Sequence, residues 1–217
     1  MLTYESIRKN EDIRTYITYA DRSLKALGYT EHSFAHVTKV AETAAYILGA
    51  VGADEHTVEL AKIAGYLHDI GNLVNRVDHS QSGAVMAFRI LDKMGSPAED
   101  IAAIVTAIGN HDEGTGVPVN EISAALILAD KTDVRRSRVR NDEHLTFDIH
   151  DRVNYSVESS DLRIEKKDII LSLVVDTEIG SVMDYFEIFI GRMTMCRRAA
   201  EKLGLVFSLY INGQKLL

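Results

Sequence analysis

Residues 60–72, LAKIAGYLHDIGN, decide the fold. Leu60, Ala64 and His68 recur at four-residue steps, so they share one face of a helix, and the apolar character of that face directs His68 inward. The adjacent Asp69 adds an oxygen to the histidine nitrogen, and the pair offers one cation two ligand types. Alone the dipeptide is a weak signal; its surroundings strengthen it. Outward in both directions the same pattern returns: His36 shares a face with Val40, Ala44 and Leu48, His111 follows Ile101, Ile104 and Ile108, and Asp130 continues Ile122 and Leu126. His79 opens a helix whose same face carries Gly83, Met86 and Ile90, where the glycine leaves room for close packing or a bulky ligand.

From Ile13 to Arg140 apolar residues recur mostly at three- and four-residue steps, broken by Gly28, Gly52, Gly71, Gly95 and Gly114, which predicts helices in series. Ser96, Pro97 and Glu99 form a capping-box pattern and predict a helix from Pro97 to about Asn110. After Arg140 the character changes. A linker is expected over 141–148, followed by a small α+β domain over 149–217. In that second domain Val153, Tyr155 and Val157 alternate with polar residues as in a strand, and Ile169 to Asp176 forms a buried strand. Val182, Phe186, Phe189, Met193, Cys196, Ala200 and Leu203 line one helical face ended by Gly204, and LVFSLYI supplies a last strand. The expected architecture is therefore mostly α: an all-α domain over 1–140, then a helix lying on a small sheet.

With 217 residues the chain can bury a substantial core, and its single cysteine, Cys196, excludes an internal disulfide and fits a reducing compartment. The polar start MLTYESIRKNEDIR lacks the apolar core of a signal peptide, and no apolar run is long enough to span a bilayer. A cytoplasmic protein without membrane contact is the expectation. A net charge of −8 argues against general nucleic-acid binding. One basic cluster stands out: Lys131, Arg135, Arg136, Arg138 and Arg140, just after Asp130. It reads either as a solvated helix end or as a grip for phosphate.

His36, His68, Asp69, His79, His111 and Asp130 are thus the candidate metal ligands. Any one histidine is more economically a core residue bonded locally. Taken together they favour a shared metal site, because a divalent cation satisfies several buried imidazoles and carboxylates at once. No helical stripe precedes the second dipeptide, His150-Asp151, and His56 and His144 lie in polar surroundings, so all three histidines are expected at the surface.

These residues resemble the HD superfamily of metal-dependent phosphohydrolases. The pattern H…HD…D falls on His36 in HVTKVA, His68-Asp69 in LHDIG and Asp130 in LILADKTD, covering roughly Glu31 to Arg140. The added His79 and His111 resemble the binuclear branch, including the HD-GYP phosphodiesterases, to which HSQSGA and NHDEGTGVP are similar. Asn72 stands where that group carries a lysine, Asn110-His111 replaces its double histidine, and Val117 replaces its tyrosine. His32, one turn before His36, takes the place of a glutamate that helps to hold a third metal in some members, and a role as metal ligand, support or substrate contact is open to it.

The resemblance implies a helical bundle with one ion held by His36, His68, Asp69 and Asp130 and a second by His79 and His111, Asp69 bridging. It further implies two transition-metal ions, iron or manganese, with His68 and Asp69 at the catalytic centre and a bridging hydroxide attacking the phosphorus of a small phosphorylated substrate. Lys131, Arg135, Arg136, Asn72 and His32 are the candidate substrate-binding residues. Two alternatives use the same ligands: a di-iron oxygenase similar to the inositol oxygenase group, and a non-catalytic nucleotide- or metal-binding regulatory module. The strand edges of the C-terminal domain suit a homodimer; the plainer reading is a cover for one face of the bundle.

Overall fold

A computed structural model describes residues 2–140 and 149–217. The bundle begins with α1 (Tyr4–Lys9) and α2 (Glu11–Ala26), whose first turns are capped by the Thr3 and Asn10 side chains. Next come α3 (Phe34–Ala50), capped by Ser33, and α4 (Glu55–Leu67), capped by Asp54. Their close approach has a local cause: a Cβ on Gly65 would lie 2.7 Å from the Cα of Ala41. A short 3-10 turn, Ile70–Leu73, then leads to α5 (His79–Lys93), α6 (Ala98–Gly109) and α7 (Glu121–Lys131). In α7 every residue from Ile122 to Ala129 is buried, as expected of a helix enclosed on all sides. It packs against α3, α4 and α6, and makes the axis of the bundle.

The start of α6 differs from the sequence expectation by one position. Pro97 is the cap, without a side-chain hydrogen bond, and the Ser96 hydroxyl is buried without a partner among the described residues, so no capping box forms. The Ser96 amide instead donates to the Leu91 carbonyl, closing the end of α5 behind Gly95.

The second difference is larger. The stretch expected to be a strand around Val153 is a helix, α8 (Ile149–Ser156), and the strand begins only at Val157. Val153 and Val157 are four apart, a spacing that satisfies both a strand and a helix face, and both are buried. The expected linker 141–148, with His144, lies outside the described residues, as does the side chain of His150.

The sheet runs β1 (Val157–Glu165), β2 (Asp168–Val175), β3 (Val206–Ile211) and β4 (Gln214–Lys215), in that order across. β1 and β2 are antiparallel, with Leu162 opposite Leu171, and β2 and β3 are parallel, with Leu171 opposite Leu209. The parallel pair needs a crossover, which α9 (Val182–Lys202) provides. Tyr185, Phe189, Met193, Cys196 and Ala200 form its buried face, and Gly204, at φ 72°, closes it in the left-handed conformation expected of a glycine cap. α9 packs against both β3 and α7, so one apolar cluster runs continuously from Ile7 in α1 to Ile211 in β3. Burying each large side chain on that face contributes about 1.5–3 kcal/mol. Among the described residues no helix is long and apolar enough to cross a membrane.

Candidate metal centre

The helices and the turn that carry the candidate ligands converge at one end of the bundle. His36 comes from the first turn of α3, His68 caps the end of α4, Asp69 enters the 3-10 turn, His79 opens α5, His111 follows α6, and Asp130 lies near the end of α7. All are buried except Asp130, which is nearly so. Gly71 and Gly83 let the turn and α5 meet. A Cβ on Gly71 would overlap the His79 carbonyl oxygen and the Gly83 nitrogen, and one on Gly83 would lie 3.2 Å from the His68 carbonyl oxygen. The glycine one turn after His79 thus serves close packing.

The orientation of each imidazole follows from its Nδ1. His68 Nδ1 lies 2.8 Å from the Gly65 carbonyl, His79 Nδ1 3.0 Å from that of Arg76, and His111 Nδ1 2.6 Å from that of Ile108. His36 Nδ1 lies 2.8 Å from Asp133 Oδ2. Carbonyls and carboxylates only accept, so each Nδ1 carries the proton and donates it, leaving Nε2 as the coordinating atom. The four Nε2 atoms face a common interior. His36 Nε2 is 3.4 Å from Asp130 Oδ1, and His68 Nε2 is 3.3 Å from Asp69 Oδ2. His79 Nε2 lies 3.6 Å from the other oxygen, Asp69 Oδ1, and 3.2 Å from His111 Nε2. Two neutral imidazoles with both Nδ1 protonated bring lone pair against lone pair at that distance, an arrangement that a cation relieves.

The fit to a metal rests on these atoms. His36 Nε2 and His68 Nε2 are buried and have no hydrogen-bond partner among the described residues. Ligand atoms of His36, His68 and Asp130 lie within 4.8 Å of one another, and so do those of His68, Asp69 and His111. The donor set, imidazole with carboxylate, suits a divalent transition ion. The local field is one that draws positive charge: burial opposes an imidazolium at His68, yet the Asp69 and Asp130 carboxylates overcome it and push that group up to about 10. At His111 burial prevails, joined by His68 and Lys131, and the group falls to about 3.

The other predicted site residues divide into two groups. Lys131 and His32 line the same small cavity as Asp69, His79 and Asp130. Lys131 Nζ sits 2.8 Å from Asp130 Oδ2 and 3.5 Å from Glu113 Oε1, and these carboxylates hold it charged against the cost of burial. His32 is kept neutral, its ionisation pushed well below the usual imidazole range by burial, and its Nδ1 is 2.7 Å from the Thr30 carbonyl. Asn72 acts on a ligand: its Nδ2 donates to Asp69 Oδ1 at 2.8 Å and to the Asp69 carbonyl at 2.9 Å. Arg135 and Arg136 are directed elsewhere. Arg135 is held by Asp133 and Glu31, while Arg136 donates to the Tyr155 carbonyl and lies over the Tyr155 ring. His56, expected at the surface, has a half-exposed side chain paired with Asp100.

Asp133, Arg76 and Arg192 have no recognised signal in the sequence, and Arg138 stands out there only as a member of the basic cluster. Asp133, one turn beyond Asp130, receives His36 Nδ1 and also pairs with Lys39 and Arg135, at 2.9 Å each. Arg76 Nη1 reaches His79 Nε2 at 3.4 Å, and Arg138, in the basic cluster, is buried against Asp133. Arg192 arrives from α9, more than sixty residues beyond Asp130.

A family model for the HD domain matches residues 33–154, more than half of the chain. The chain belongs to the HD domain family. It is similar to an uncharacterized protein of Methanocaldococcus jannaschii, 24% identical over 204 residues that cover 82% of this chain and 78% of the relative. Among solved structures it is similar to a predicted HD superfamily hydrolase from an uncultured Thermotogales bacterium, at 25% identity, covering 62% of this chain and 75% of that one with a TM-score of 0.43. Residues 33–154 span every candidate ligand and end inside α8.

Proposed function

We propose that this HD domain protein is a metal-dependent phosphohydrolase that cleaves a phosphate ester of a small molecule. One observation carries the reading: Asp69, His79 and Asp130 line a single cavity with Arg76, Lys131, Arg138 and Arg192, and the Nε2 atoms of His36, His68 and His111 lie directly behind them, beside Asp130, Asp69 and His79. His36, His68 and Asp130 would hold one divalent ion and His79 and His111 a second, with Asp69 directing one oxygen to each. Bound there, iron or manganese supplies Lewis-acid charge at a phosphoryl oxygen and a water acidic enough to act as nucleophile at neutral pH.

The chain's own residues account for the rest. Asp133 and the carbonyls of residues 65, 76 and 108 fix the rings with Nε2 inward, and Asn72 fixes Asp69. The four cations offset the negative charge of a bound phosphate, and arginine adds paired donors that match phosphate oxygens. No serine, cysteine or lysine nucleophile is required.

The test is anaerobic hydrolysis of p-nitrophenyl phosphate and bis(p-nitrophenyl) phosphate by iron- or manganese-loaded protein. Turnover should appear with either metal, and His68→Ala and Asp69→Ala should abolish it. Turnover that survives both substitutions, or that requires dioxygen, would overturn the reading.

A further inference from the structure

The cavity at the metal ligands has a volume of about 20 Å³, room for about one water, whereas a neighbouring one measures about 250 Å³. The two share His32, Arg76, Arg138 and Arg192, which therefore form the neck between them. A phosphoryl group cannot be enclosed in the inner space. Its place is the inner side of the neck, beside Asp69, His79 and Lys131, with the remainder of its molecule passing Arg138 and Arg192 into the outer cavity.

Arg192 is the informative member. It belongs to α9, the crossover helix of the C-terminal sheet, and its guanidinium rests on the Phe189 ring, 4.4 Å from the centroid. Its Nε lies 2.6 Å from Glu113 Oε1, an ion pair whose N–H is not aligned on the oxygen. A guanidinium carries four further N–H donors on its terminal nitrogens, and these are the ones suited to a second acceptor. Glu113 is shared with Lys131, so the carboxylate is balanced without consuming Arg192. Arg138, also at the neck, is anchored through Nε and Nη1 to the Glu31 and Asp133 carbonyls, which sets its plane. One wall of the site is thus built by the C-terminal module, and that wall places cationic charge beyond the position of the reacting phosphate.

Resting on the phosphohydrolase reading, we infer that Arg192 and Arg138 hold a second anionic group of the substrate, a phosphate or carboxylate adjacent to the scissile phosphate. The C-terminal module then serves the active site directly, and the preferred substrate is a phosphate ester with two neighbouring negative groups.

Binding of three probes to the metal-loaded full chain tests this by calorimetry: inorganic phosphate, methylenediphosphonate and phosphonoacetate. At least one of the two-headed probes should bind more tightly than phosphate, and which one does identifies the second group as phosphate-like or carboxylate-like. Arg192→Ala should weaken that probe roughly tenfold or more, as loss of a charge-assisted hydrogen bond does, and inorganic phosphate by clearly less, with metal content unchanged; metal content and the retained phosphate binding also report that the variant is folded. Arg192→Lys, which keeps the charge but loses the fork, should fall between. If phosphate and the two-headed probes weaken equally in Arg192→Ala, or neither two-headed probe surpasses phosphate, the inference fails while the phosphohydrolase reading stands. If none of the three binds, that reading fails and this one with it.

Discussion

Replacing Asp133 by asparagine removes one negative charge and no volume, yet it should disable the metal-facing nitrogen of His36 from the opposite side of the ring. Asp133 Oδ2 accepts the His36 Nδ1 proton at 2.8 Å, while Oδ1 accepts from Lys39 Nζ and Arg135 Nε, both at 2.9 Å. Every partner of the carboxylate is a donor. An amide has one accepting end, so one of its two sides must confront donors with its own N–H groups. Charge-assisted bonds are about twice as strong as neutral ones, so the oxygen should turn to Lys39 and Arg135 and the NH2 group to His36. His36 Nδ1 then has to accept, its proton moves to Nε2, and the atom that faces Asp130 can no longer bind a cation. Losing such a partner typically costs 10–100-fold in metal affinity. The metal-free protein should also lose about 2 kcal/mol of stability, a figure near the middle of the range for a charged hydrogen bond, because Lys39 and Arg135 are partly exposed and recover hydration. Metal retained against graded chelator, read by mass spectrometry, measures the first effect, and urea unfolding of the apoprotein the second. Nitrogen chemical shifts of the imidazoles report the tautomer. Unchanged metal retention in Asp133→Asn would refute the argument that Asp133 sets the His36 ring.

Gly71→Ala should be destabilising by about 1–3 kcal/mol, since the new methyl overlaps backbone of α5 rather than a movable side chain, and should loosen metal retention by parting Asp69 from His79; thermal unfolding with and without metal checks both. Burial pushes the Cys196 thiol up to about 12, so at pH 8 only roughly one thiol in ten thousand is ionised. Ellman's reagent should label the native chain negligibly and the unfolded chain once, and fast native labelling would contradict the packing of α9 on α7. A chain ending at Arg140 should expose the apolar surface of α7 that α9 covers. Strong binding of a hydrophobic dye and loss of a cooperative transition are expected; a cooperative, dye-silent fragment would show that the bundle stands alone.

The bundle was legible because its ligands obey the rule that its core obeys. His36, His68, His111 and Asp130 each prolong an apolar stripe at helical spacing, so the residues that build the core also aim the site. Where two periods coincide that rule loses its force. Val153 and Val157 fit a strand as well as a helix, and only the packing of α8 against its neighbours decides between them. Charge clusters carry still less direction. Lys131, Arg135, Arg136 and Arg138 are close in sequence, yet Asp133 and Glu31 draw Arg135 aside and Tyr155 takes Arg136, leaving Lys131 and Arg138 at the cavity. Arg192 lay beyond reach for a different reason: its place in the site depends on α9 crossing back over α7, a contact set by the tertiary fold rather than by any local pattern. Asp133 could have been found, since it follows Asp130 by three residues on a segment already suspected.

The most direct test of the account is the metal content of the purified protein, measured after exposure to iron(II) or manganese(II) without oxygen and removal of free ion. The convergence of the four Nε2 atoms on Asp69 and Asp130 predicts close to two bound ions per chain, falling to one or none in His68→Ala. A protein that retains no cation, or holds as much in His68→Ala as in the parent, would contradict it.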